Sequence, residues 1–214
     1  MMLSYFKEQF DLEKRLLLIV IALAVVLVLA TALQPWVDPR WLYMDAQSVG
    51  ELSGDCCHIY DGAMSMLGIM LWFGTSAISV LACLVFLYRS DLKGAWFSAH
   101  ASLVSAILAL DDAFLLHDVA FPNLGIPQAA VIGFIGVLIL SYLWLQRHFF
   151  GAPYRWLLAI SLSGFAMSVG IDQVMHSIET FWIVAEDGPK FLGIVTWFLL
   201  HLMVLTRRLV DLTE

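Results

Sequence analysis

The sequence predicts an all-α fold, a polytopic bundle of six transmembrane helices with both termini on the cytoplasmic side. Three observations carry that expectation. Of the 214 residues, 61% are hydrophobic and only 14% charged, at a mean hydropathy of +0.86, whereas a soluble domain carries about 25% charged residues. So much apolar surface cannot be buried inside a globule of this size and needs lipid as a solvent. Long uncharged runs recur along the chain, each near the roughly 20 residues that cross about 30 Å of hydrocarbon. Lys and Arg fall almost entirely on one side of the spans so defined.

The spans are expected at 16–33, 62–88, 95–121, 127–146, 156–182 and 191–206, within a single integral membrane domain. The first follows Lys14-Arg15 and runs from Leu16 to Leu33. With Ala30-Thr31-Ala32 behind it, this segment also has the form of a secretory signal. Glu8, Asp11 and Glu13 ahead of it fit a signal poorly, so it reads as a retained span. The second, Gly62 to Tyr88, is long enough to tilt. The third is uncharged from Ala95 to Leu110, meets Asp111 and Asp112, and ends near Phe121. The fourth covers Pro127 to Gln146. The fifth, Trp156 to Trp182, is interrupted by Asp172, His176 and Glu179, and the sixth covers Phe191 to Thr206.

Proline breaks helix interiors, and Pro35, Pro39, Pro122, Pro127, Pro153 and Pro189 all fall at or between these spans. Trp36, Trp41, Trp96, Trp144, Trp156 and Trp182 sit near span ends, as an aromatic belt requires. With the N-terminus inside, all but Arg40 and Lys190 of the Lys and Arg residues are cytoplasmic. The bacterial inner membrane is the expected location. A net charge of −7 leaves no basic face for nucleic acid. Three cysteines are too few for a disulfide framework.

The acids follow the reverse pattern and gather on the outer surface or in the outer halves of helices. Ionisable groups in a bilayer cost about 2.5–3.5 kcal/mol or more each and so mark functional positions. On the fifth span, Asp172, His176 and Glu179 stand at i, i+4 and i+7, on one face, and Ser161 and Ser168 extend that face inward. Carboxylate and imidazole at this spacing suit zinc, iron or manganese; an interhelical hydrogen-bonding cluster is the plainer alternative. On the third span, Asp112 shares its side with Ser98, Ala101, Ser105 and Ala109, small residues that favour close packing, and is expected to face inward. For Asp111 the pattern decides nothing. His117 and Asp118 lie near the membrane edge and read as solvated interface residues.

Asp61 and His58 open the second span, above an inward stripe of Ser65, Gly68, Thr75 and Ser79; Asp61 serves equally well as a helix cap. On the sixth span Lys190, Trp197 and His201 form a stripe, with His201 about 16 Å beyond Lys190 at 1.5 Å per residue. That depth matches Asp172 and Asp112. Segment 186–190 reads as an acidic turn at the pocket mouth. Cys56-Cys57-His58, with Met64 and Met66, offers soft ligands for copper, a weaker prospect than the other metals.

The leading expectation is a membrane-embedded metalloenzyme, a hydrolase or an oxidoreductase acting on a lipid-like or amphipathic substrate. Asp112 and Asp172 are its catalytic candidates. Asp112, Asp172, His176, Glu179 and His201 are the metal candidates, and Asp61, His58 and Lys190 flank the mouth. A proton- or ion-coupled carrier or relay is one alternative. Another is a noncatalytic subunit of a larger membrane complex. Membrane lipid is the expected partner, with a second membrane protein or a second copy of this chain as further candidates.

Overall fold

The computed structural model describes residues 2–54, 58–175 and 178–212, the side chains of 2–11 excepted. Every regular element among them is helical: α1 (Met2–Leu33), α2 (Arg40–Tyr43), α3 (Ala46–Ser53), α4 (Ala63–Tyr88), α5 (Leu92–Phe114), a π-helical turn (Leu116–Ala120), α6 (Phe121–Asn123), α7 (Gln128–Leu145), a 3-10 turn (Ala152–Tyr154), α8 (Arg155–Met175) and α9 (Thr180–Asp211). Six helices, α1, α4, α5, α7, α8 and α9, are long and apolar enough to cross a bilayer.

α9 is the axis of the bundle. Its Ile194, Val195, Trp197, Leu200, His201, Val204 and Leu205 are buried, and α8, α4, α1 and α2 pack around it. The peripheral helices differ sharply from it. α7 buries only Val131 and Tyr142 and leaves Phe134, Val137 and Leu140 exposed, a pattern that suits an apolar surround rather than water.

Two helix hairpins frame the interior. α4 and α5 join through Ser90, whose φ of 61° is left-handed. Asp91 then caps α5 by accepting from the Gly94 amide at 3.2 Å. The same carboxylate takes both Arg208 Nε at 2.8 Å and a terminal guanidinium nitrogen at 3.0 Å, a bidentate geometry that ties this hairpin to the end of α9. α8 and α9 approach closely because their contact residues are small. Ser161 donates to the Gly193 carbonyl at 2.9 Å, and a Cβ added at Gly164 would stand 3.1 Å from the Gly193 Cα.

The small-residue stripes face inward as their spacing predicts. Gly68, Thr75 and Ser79 of α4 are buried, with Trp72 between them, as are Ser98, Ala101, Ser105 and Ala109 of α5.

Three span boundaries depart from the hydropathy reading. α5 stops at Phe114 because Leu115 turns left-handed, at φ 49° and ψ 47°; the π-helical turn follows. α8 ends at Met175, so Glu179 belongs to the start of α9 rather than to the face that carries Asp172. α9 begins at Thr180 and passes helically through Pro189, so 186–190 is no turn. The helix absorbs the proline, and the missing Cβ of Gly164 on α8 leaves room for the Pro189 carbonyl.

Candidate functional site

The left-handed Leu115 and the π-helical turn determine the site, because they fold His117 back toward α5. The backbone amide of His117 donates to Asp111 Oδ1 at 3.1 Å and its Nδ1 lies 2.7 Å from Asp111 Oδ2. On its other edge, Nε2 is 3.2 Å from Asp118 Oδ2. Gln128, at the start of α7, donates to Asp118 at 2.7 Å and to Asp172 of α8 at 3.3 Å. Gln173 donates to Asp172 as well, at 2.9 Å. A continuous polar chain thus joins Asp111, His117, Asp118, Gln128 and Asp172.

The charges on this chain are perturbed in a consistent way. Burial opposes a charged His117, but the hydrogen bond to Asp111 and the fields of Asp118 and Asp111 outweigh both burial and Lys190, and hold its pKa above 6.5. Burial raises the Asp118 carboxyl above 3.8 despite His117.

Beside the chain, Lys190 of α9 donates to Asp112 Oδ1 at 2.8 Å, and Trp72 Nε1–H of α4 donates to Asp112 Oδ2 at 3.1 Å. The ion pair separates two hollows. One, of about 20 Å³, is lined by Tyr43, Ser65, Asp112, Asp187 and Lys190, room enough for a single water. The other is a cleft of about 310 Å³ between α7 and α8, backed by α5 and α9. Asp111, Asp112, His117, Asp172, Glu186 and Lys190 line its polar part. Leu108, Ile132, Ile135, Ile139, Phe165 and Val169 line the remainder. A cavity with a small convergent polar set and mostly apolar walls is the usual form of a ligand site.

The structure therefore brings Asp112, Asp172 and Lys190 together, and places other expected residues elsewhere. His201 is fully buried outside the cleft; its Nδ1 is 2.8 Å from the Trp197 carbonyl and its Nε2 2.8 Å from the Tyr142 hydroxyl. A carbonyl only accepts, so Nδ1 carries a proton. Packed against Phe97, Tyr142 and Trp197, the ring is a packing group and not a ligand at this site. Glu179 is exposed at the N-cap of α9 and does not line the cleft. Asp61 Oδ2 accepts the His58 amide at 2.7 Å within a turn, and exposed His58 stacks on Tyr60; neither lines the cleft nor the smaller hollow. Lys190 lines both hollows, at the ion pair between them. His176, Cys56 and Cys57 lie outside the described residues. Among the described residues, no three His, Cys, Asp or Glu side chains are grouped to hold a metal ion.

Sequence reasoning left Asp111 undecided, passed over Gln128 and took Glu186 for part of a turn. It read His117 and Asp118 as solvated interface residues, which holds for the exposed Asp118 but not for the His117–Asp111 contact. For Glu186 a signal existed: it precedes Lys190 by four residues and shares its helical face, which the turn reading of Pro189 concealed. For His117 there was none, since a π-helical turn has no marker in its residues.

An all-α bundle of six helices with membrane-spanning length and hydropathy defines the class: an integral membrane protein with a polar chamber inside. The chain belongs to the family described as Domain of unknown function (DUF8692), whose model matches residues 17–204. Comparison with curated proteins and with solved structures finds no match.

Proposed function

We propose that this protein is a membrane-embedded enzyme that takes a lipid-like or amphipathic molecule into the cleft between α7 and α8. It acts on that molecule with the carboxylates and imidazole at the polar part. In this reading both termini are cytoplasmic, as the Lys and Arg distribution favours, the membrane is the bacterial inner membrane, and the site lies in its outer half. The observation that carries the proposal is the cleft itself. Charged groups from α5, the π-helical turn, α8 and α9 share one end of it while branched apolar residues of α7 wall the rest. His117, its pKa raised above 6.5 by its carboxylate neighbours against the opposing burial, is suited to give up a proton. Asp172 is bonded only to amides among the described residues and is the candidate to accept one.

A divalent metal, zinc, iron or manganese, remains part of the proposal. Asp112 and Asp172 face the cleft, and His176 follows Asp172 by four residues in the sequence. Such an ion would activate water for hydrolysis, or oxygen if it is iron. The test is conversion of a bacterial lipid extract by the purified chain in nanodiscs, followed by mass spectrometry alongside metal analysis. Conversion by the wild type and its loss in Asp172→Asn and Asp112→Asn are expected. A folded wild type that converts no component and holds no stoichiometric metal removes the enzyme reading.

The hydrogen-bonded chain from Asp111 to Asp172 favours a second reading, a proton relay. Proton flux in proteoliposomes, abolished by His117→Gln, would support it.

A further inference from the structure

We infer that the molecule accepted by the cleft carries a cationic head, an amine or quaternary ammonium, on a single apolar chain, with the head against Asp172 and Glu186. The inference rests on the reading of the cleft as an amphiphile site and adds the charge and placement of the head.

The first support is the balance of charge on the cleft wall. Asp112 is matched by Lys190 at 2.8 Å. Asp111 and the neighbouring Asp118 are matched by His117, at 2.7 and 3.2 Å. Asp172 has only the amides of Gln128 and Gln173, and Glu186 has no hydrogen bond among the described residues. Asp172 therefore faces the open cleft with no side-chain cation of its own, and Glu186 shares the single Lys190 with Asp112 and Asp187, so acids outnumber bases on this wall. Uncompensated charge at membrane depth is costly, and a cationic head would neutralise it. A carboxylate or phosphate head would add to the repulsion.

The second support is Ser168. It lines the cleft, is only 6% exposed, and its hydroxyl has no hydrogen-bond partner among the described residues. Its oxygen is not among the enclosed polar atoms that lack a partner, so it is open to the cleft and free to bond a ligand-sized molecule there. It sits four residues, about 6 Å, inward from Asp172 on the same face of α8. An amphiphile with its head at Asp172 would bring its first polar linkage atom, a hydroxyl or amide, to that depth. Beyond Ser168, Ile132, Ile135 and Ile139 of α7 and Phe165 of α8 offer only apolar contact, which suits the chain.

The test uses the full chain in zwitterionic nanodiscs and reads tryptophan fluorescence, because Trp72 lines the cleft. Bromoalkyl amphiphiles of equal chain length, bearing an amine, a carboxylate or an alcohol, quench on contact. The amine is expected to saturate the quenching at a concentration about tenfold or more below the other two. That advantage should disappear in the Asp172→Asn/Glu186→Gln double variant, and Ser168→Ala should weaken an amino-alcohol probe more than a plain amine. The head-group comparison on the wild type decides even where a variant fails to fold. Equal half-saturation for all three heads, or preference for the carboxylate, overturns the cationic head while leaving the cleft an amphiphile site. Absence of saturable quenching by any of the three overturns both.

Discussion

Lys190 on α9 and Asp112 on α5 meet at 2.8 Å across the interior of the bundle, with the ammonium side chain 31% exposed and the carboxylate 12%. The pair closes the inner side of the cleft and couples helices far apart in sequence. Removing one partner strands the other in a poorly hydrated place, whereas removing both leaves no charge to solvate. Lys190→Met should therefore lower stability by about 3 kcal/mol, and Lys190→Met/Asp112→Asn by clearly less. Thermal melting in detergent measures both; a double variant as unstable as the single one would contradict this account.

Close approach of α8 and α9 makes a second prediction. An added Cβ at Gly193 would come within 2.8 Å of the Phe165 ring and 3.0 Å of the Ser161 carbonyl, while Gly133 on α7 has open space around it. Gly193→Ala should cost about 1–3 kcal/mol by overpacking. Gly133→Ala should be neutral or slightly stabilising, since alanine is the better helix former. Comparable melting temperatures for the two variants would show that the α8–α9 contact is looser than the structure has it.

His201 depends on Tyr142 for the hydrogen bond at its Nε2. Tyr142→Phe removes the hydroxyl bonded to it and leaves a fully buried ring nitrogen unsatisfied, at a cost of about 1–3 kcal/mol. Because this pair lies apart from the cleft, the variant should keep amphiphile binding at the temperature where it is folded. Loss of binding without loss of stability would place His201 in the site after all.

Titration should limit stability on both sides of neutrality. Asp91, held below 3.8 chiefly by its hydrogen bond from Arg208, stabilises the fold above 3.8, and that contribution is lost as pH falls through the lowered value. His117 has the opposite sign: its pKa is raised above 6.5 by Asp111 and Asp118 against the larger single effect of burial. Its contribution is complete below 6.5 and disappears as pH rises through the folded-state value. Asp118, raised above 3.8 by burial, adds a loss in the same direction as it ionises. Melting temperature should thus decline from about pH 6 to pH 8, and less so in His117→Gln. An unchanged slope in that variant would remove His117 as the cause.

How much of this was legible beforehand depends on the kind of interaction. Composition and hydropathy demanded lipid and a helical bundle, because an unsatisfied backbone in hydrocarbon is too costly for anything else but a closed barrel. Helical spacing alone placed Ser98, Ala101, Ser105 and Asp112 on one inward face of the third span, since period and burial are local properties. The expectation that Asp112 and Asp172 share a chamber came from depth matching, a crude but physical coordinate along parallel helices.

What the sequence determined by itself, then, was everything governed by the period of one helix and its need for an apolar surround. Only the tertiary structure decided which polar groups meet. Hydropathy sees Pro189 and the acids around it as a loop, yet packing against α8 keeps α9 helical there and turns Glu186 and Lys190 inward. Leu115 carries no sign of its left-handed turn, yet that turn brings His117 to Asp111. His201, matched in depth to the site, was claimed instead by Tyr142 and Trp197. Rotation about a helix axis and the partner across an interface arise from contacts between segments distant in the chain, and no single segment encodes them.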